Sequence, residues 1–132
     1  GPDAAAAGPS AEHRRVVAAF LDAARGGDVD ALLALLAPDV VRRADPGAVL
    51  AGVAAEIRGA AAVVEETRTL RARAGVAAVA LVDGVPGLVV APGGRLRLVL
   101  RLDVVDGRVA AIDVVADPGR LAAVDLALAG PR

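Results

Sequence analysis

Cys, Trp, Tyr, Met, Lys, Asn and Gln are all absent from the 132 residues. Without Cys there is no disulfide and no thiolate metal site, and the redox compartment stays open. Without Cys, Tyr or Lys there is no thiol, phenol or amine to act in catalysis. Without Asn or Gln no side-chain amide can hold an oxyanion. Aromatic rings reduce to Phe20, and imidazoles to His13. Every basic residue is Arg, and the net charge of −1 gives no basic surplus of the kind that nucleic acid or an anionic membrane selects. No apolar run reaches the ~18 uncharged residues of a membrane-spanning helix. The start, Gly1-Pro2-Asp3 and then Ala4 to Ala7, has no basic segment leading into an apolar one, so it is not a secretory signal. A cytoplasmic protein with no direct nucleic-acid or membrane partner is the expectation. Gly1-Pro2 reads as a protease scar, residues 1–10 as a tail, and residues 11–130 as one domain.

Apolar content is high, at 56%, and its spacing gives the organisation. Val16, Val17, Phe20, Leu21 and Ala24 recur at helical spacing over Glu12 to Arg25. Gly26-Gly27 ends that helix, and Asp28 can cap a second one bearing Leu32, Leu33, Leu35 and Leu36, which stops before Pro38. Val40 to Ala44 reads as a short strand broken at Asp45-Pro46-Gly47, and Ala48 to Arg58 is ambiguous. A third helix is expected over about residues 60–71, with Val63, Val64, Thr67 and Leu70 on one face. Beyond Val76 the pattern turns to β. Asp83-Gly84, Gly93-Gly94 and Asp106-Gly107 punctuate Val- and Leu-rich runs, which predicts consecutive hairpins with strands near 76–82, 87–91, 95–105 and 108–116. Asp117 and Pro118 open a closing helix with Leu121, Val124 and Leu128 on one face, and Gly130-Pro131 stops it. The order is that of an α+β fold with helices on one face of a curved, mostly antiparallel sheet.

Several short motifs stand out within this order. They are Val16-Val17-Ala18-Ala19-Phe20, Gly27-Asp28-Val29-Asp30-Ala31-Leu32, Leu36-Ala37-Pro38-Asp39-Val40 and Arg58-Gly59-Ala60. Two more lie further on, Asp83-Gly84-Val85-Pro86-Gly87 and Asp117-Pro118-Gly119-Arg120-Leu121. Over roughly residues 12–128 the chain resembles the SnoaL-like branch of the nuclear-transport-factor-2-like (NTF2-like) superfamily, whose fold is an α+β cone. More narrowly it is similar to the SnoaL-like C-terminal domain of extracytoplasmic-function sigma factors. The Asp-Gly-x-Pro-Gly turn and the terminal Asp-Pro-Gly-Arg-Leu carry that narrower likeness. The glycine- and lysine-bearing loop expected after the first strand is reduced here to Asp45-Pro46-Gly47, and the promoter-binding helical regions are not in this sequence.

A strand register narrows the chemistry. If Asp106-Gly107 is a two-residue turn, Val105 faces Arg108, and opposed residues share a face. Leu98, Leu100, Leu102 and Val104 then lie beside Val109, Ala111, Asp113 and Val115 on the inner wall. Asp113 is the one ionisable group there, with a pKa raised by desolvation and suited to general acid/base work. The resemblance also places acid/base carboxylates on cone-lining strands. The alternative for Asp113 is an Arg partner from a loop or helix, or a place at the wet mouth; a one-residue bulge would reverse the assignment. Phe20, Leu100, Leu102 and Ala111 are the expected ligand contacts, with Arg43 at the mouth as an anchor for an acidic group. Arg101 and Asp103 match the Arg-x-Asp pair of limonene epoxide hydrolase, a relative in the superfamily, but read better as a surface charge row with Arg95 and Arg97. Glu65, Glu66, Arg68, Arg71 and Arg73 read as the solvated side of the third helix. His13 has no companions for a metal site or a triad, and no metal or cofactor is expected.

Two functions follow as expectations. The first is a SnoaL-like domain that binds a lipophilic small molecule or regulates, as in the sigma-linked domains, with sigma-factor regions or RNA polymerase as partners if it belongs to a longer chain. The second is a stand-alone polyketide-type cyclase, isomerase or hydrolase using Asp113. A homodimer through the Arg-rich sheet face is compatible with either.

Overall fold

Helix α1 (Pro9–Gly26) places Val16, Val17, Phe20, Leu21 and Ala24 on one stripe, and all five are buried. The computed structural model describes residues 9–50 and 52–128. Residues 1–8 of the expected tail, and the Gly130-Pro131 stop, lie outside them. Asp28 caps α2 (Val29–Leu35), its carboxylate accepting from the Ala31 N–H at 3.1 Å. Leu32 and Leu36 are buried and Leu33 is exposed, so the short helix buries one edge only. Full burial of such a leucine contributes about 1.5–3 kcal/mol.

Strand β1 (Leu36–Ala44) starts earlier than its sequence suggests, because the chain extends through Pro38. The register with its parallel neighbour shifts between Leu36 and Val41. Pro38 has no N–H to give a ladder and sits in that irregular stretch. The ambiguous segment resolves into α3 (Pro46–Leu50) and β2 (Glu56–Arg58). Helix α4 (Ala60–Thr69) buries Val63 and Val64, and a four-residue helix α5 (Arg71–Ala74) follows it. Strands β3 (Ala77–Val82), β4 (Val85–Val90), β5 (Leu98–Val105) and β6 (Arg108–Val115) form the expected meander. The turns Asp83-Gly84 and Asp106-Gly107 both have positive φ at each position, the geometry that twists with a hairpin.

The closing helix is a correction. Asp117 does cap it, accepting from the Arg120 N–H at 3.0 Å, but α6 spans only Pro118–Ala122. The chain then forms strand β7 (Leu126–Leu128) against β3. Asp83 makes this possible: its N–H donates to the Asp125 carbonyl at 2.8 Å, and its carboxylate accepts the Asp125 N–H at 2.8 Å. The sheet order is β2-β1-β6-β5-β4-β3-β7, antiparallel throughout except for β1 with β6.

The main core joins α1, α2 and α4 to one sheet face through Leu88, Leu102, Ile112 and Val114. A smaller cluster of Ala80, Val82, Val89, Val99 and Val115 occupies the opposite face, where Leu96, Leu121 and Val124 cover it. The split between faces differs from the sequence expectation by one residue. Val105 faces Arg108 and Val104 faces Val109, as expected, but Asp103 then faces Ala111. Ala110 is the extra residue of a bulge, and it reverses the faces of everything beyond it on β6. Ile112 and Val114 therefore join the inner wall with Leu100 and Leu102. Ala111, Asp113 and Val115 belong to the outer face with Val99, Arg101 and Asp103.

Candidate functional site

Between the helices and the inner sheet face lies a cavity of about 440 Å³. Its lining is mostly apolar: Phe20, Leu21 and Ala24 from α1, Val63 from α4, Leu88 and Val90 from β4, Leu98 and Leu100 from β5, and Ile112 and Val114 from β6. Each wall follows from an apolar period, 3.6 on the helices and two on the strands. The exposed lining residues are Arg73 and Val76, from the stretch that contains α5, and Arg97, just before β5; Leu70 and Ala74 line it beside the first two. Crossed contacts hold the α5 stretch in place. Arg25 donates from Nε to the Ala74 carbonyl at 3.1 Å and from Nη2 to that of Ala77, and Arg71 donates from Nε to the Arg25 carbonyl at 2.9 Å.

One ion pair lies in the wall. Arg42 shares a face with its partner Ile112 across the parallel ladder, so its side chain points inward and the residue is 1% exposed. Its Nε donates to Glu66 Oε1 at 2.8 Å and its Nη2 to Oε2, a bidentate fork. Its Nη1 donates to the Ala54 carbonyl at 2.6 Å. Glu66, from α4, is thus a cavity residue and not part of a solvated face; its neighbour Glu65 does face solvent and pairs with Arg68 at 3.0 Å. Thr67 also lines the cavity, its hydroxyl donating to the Val63 carbonyl at 2.7 Å.

The expected site residues divide accordingly. Phe20 and Leu100 line the cavity. Leu102 is 2% exposed and belongs to the packed core beside it, not to its lining. Ala111 and Asp113 are corrections, since the bulge at Ala110 turns both to the outer face. Arg43 is a third: it pairs with Asp113 across the ladder to β6, and its exposed side chain donates to Glu56 at 3.2 Å. Arg58 donates to Glu56 at 2.7 Å, and this contact, with Arg43, holds that carboxyl below its ordinary value. Asp113 accepts from Arg120 at 3.1 Å and is 42% exposed. The alternative of an Arg partner from a helix is the one the structure shows. Arg101 pairs with Asp83 at 2.6 Å instead of standing in a row with Arg95 and Arg97.

A second carboxylate is buried where the loop after β1 meets the end of β6. Asp45, 6% exposed, accepts from the Ala116 and Asp117 N–H groups at 2.9 Å each and from that of Ala48 at 3.2 Å. Burial raises its pKa, but the three backbone donors and the Arg120 charge outweigh that and leave it below the ordinary value. Gly47 belongs to the same clasp: a Cβ there would lie 2.8 Å from the Ala116 carbonyl carbon and the Asp117 nitrogen. Asp45-Pro46-Gly47 is therefore a structural lock between β1 and α6.

Comparison with solved structures places this geometry. The extracytoplasmic-function sigma factor SigJ of Mycobacterium tuberculosis matches 83% of the chain at 30% identity with a TM-score of 0.67, and the chain spans 44% of that protein's length. A putative polyketide cyclase from Sinorhizobium meliloti matches 76% of the chain at 25% identity, over 93% of its own length, with a TM-score of 0.52. An LEH-like epoxide hydrolase of M. tuberculosis matches 82% at 22% identity, over 84% of its own length, also with a TM-score of 0.52. No protein-family model and no curated protein sequence matches the chain. Among the described residues no helix is long and apolar enough to cross a membrane.

Proposed function

We propose that this chain, an α+β cone domain of the NTF2-like, SnoaL-like kind, binds a lipophilic small molecule without transforming it, as a regulatory domain of a longer protein. The carrying observation is the cavity itself. At about 440 Å³ it falls within the ~300–1,000 Å³ of small-molecule sites. Its one carboxylate, Glu66, is held by both oxygens in the Arg42 fork. That fork engages one lone pair on each oxygen and fixes the carboxylate against the wall. Asp113, which a cyclase or hydrolase reading would use, lies on the other side of the sheet. The 30% identity to a sigma factor over less than half of that protein supports a domain that acts beside other regions. Those regions, or RNA polymerase, are the partners this reading implies.

A neutral fluorescent probe, N-phenyl-1-naphthylamine, tests the cavity. Its emission should rise on mixing with the protein. Leu100→Trp fills the cavity from the β5 wall and should abolish the rise while far-UV circular dichroism stays unchanged. An equal rise with the folded variant would remove the cavity as the binding site.

A further inference from the structure

The geometry points to a ligand class for this cavity: an amphiphilic anion, with its apolar body inside and its acidic head toward the exposed lining residues Arg73 and Arg97. The inference rests on the reading of the cavity as a small-molecule site and adds the charge of the occupant.

Four charged side chains line the cavity: Arg42, Glu66, Arg73 and Arg97. The first two neutralise each other, and Arg42 spends its third nitrogen on the Ala54 carbonyl, so the pair presents no net charge to a ligand. Arg73 and Arg97 differ from them in position and in pairing. Both are exposed at the mouth, and among the described residues neither makes an ion pair or a side-chain hydrogen bond. Most other arginines here are engaged: Arg25 and Arg71 with carbonyl oxygens, and Arg43, Arg58, Arg68, Arg101 and Arg120 with carboxylates. The chain carries a net charge of −1, yet the cavity and its mouth carry two positive charges with no counter-charge among their lining residues. A carboxylate, sulfonate or phosphate head can accept from guanidinium N–H groups in bidentate fashion. Val76, a lining residue 64% exposed, adds apolar surface for the part of the ligand just below the head. A cationic head would face repulsion there, and a neutral head would leave both guanidinium groups to water.

The test uses the N-phenyl-1-naphthylamine complex and displaces it with octanoate or 1-octanol, which share a chain and differ in head charge. Arg73→Gln combined with Arg97→Gln changes only exposed side chains. The double variant should weaken octanoate about tenfold, the product of two exposed charge contacts of roughly threefold each, and leave 1-octanol unchanged. Raising the salt concentration should reproduce the selective loss. Equal behaviour of octanoate in wild type and double variant would overturn the anion inference and leave the cavity reading standing. Failure of both compounds to displace the probe from the wild type would overturn both.

Discussion

Removing Glu66 exposes the energetics of the cavity wall. In Glu66→Ala the guanidinium of Arg42, a residue 1% exposed, retains only its bond to the Ala54 carbonyl. Breaking a buried pair by deleting one partner costs about 3–5 kcal/mol, because the remaining charge is left without compensation. Glu66 itself is 27% exposed, so water reaches its end of the pair, and the expected cost falls to about 2–4 kcal/mol. For a chain of this length that is a drop of roughly 10 °C in Tm. Replacing both partners, Arg42→Met with Glu66→Leu, removes the charge and the desolvation together. That variant should recover most of the loss. Urea denaturation of the wild type, Glu66→Ala and the double variant gives the three free energies directly. If Glu66→Ala costs less than about 1 kcal/mol, or if the double variant is the least stable of the three, the pair does not act as a buried one and the reasoning fails.

Other outcomes follow from the same structure. Gly47→Ala should destabilise by about 1–3 kcal/mol, since its Cβ would meet the backbone of Ala116 and Asp117 at 2.8 Å; a urea midpoint within error of wild type would contradict the close approach. Asp45 has a depressed folded-state pKa. Its contribution is therefore present above the unfolded value of about 3.9 and is lost as pH falls through the folded value. Urea midpoints measured from pH 6 down to pH 3 should fall more steeply for wild type than for Asp45→Asn, and parallel curves would refute the assignment. Asp113→Asn should cost less than about 1 kcal/mol and leave probe binding unchanged, because the group serves an exposed pair with Arg120; loss of binding would return Asp113 to the site.

The two faces of β6 turn on one alanine, Ala110. The helices were legible because their periods are long: Val16, Val17, Phe20, Leu21 and Ala24 cannot all be buried in any other conformation. The hairpins were legible because Asp-Gly needs positive φ at both positions. A bulge leaves no such mark. Val109-Ala110-Ala111 is apolar on either register, so nothing local distinguishes the residue that opposes Asp103 from the one that is skipped. A clue did exist further along. The register without a bulge sends Ile112 and Val114 outward and Asp113 inward, against their apolar character, and that conflict signals an irregularity. On β1, Val40-Val41-Arg42-Arg43 offers two adjacent arginines, and plain alternation from the buried Val40 turns Arg42 inward. Glu66 escaped notice because its partner lies 24 residues away in sequence. The terminal strand escaped because α6 and β7 share a stretch whose Leu and Val spacing also suits one longer helix, and the deciding contacts come from the distant Asp83.

The cavity between α1, α4 and the inner sheet face should take up an apolar small molecule. Methyl proton–carbon spectra recorded during titration with N-phenyl-1-naphthylamine test it most directly, since a naphthyl ring displaces the resonances of methyl groups it touches. Shifts are expected for Leu88, Leu98, Leu100 and Val114, which line the cavity, and none for Val82, Val99 and Val115 on the other face. Shifts confined to the second group, or no shifts in the first, would contradict it.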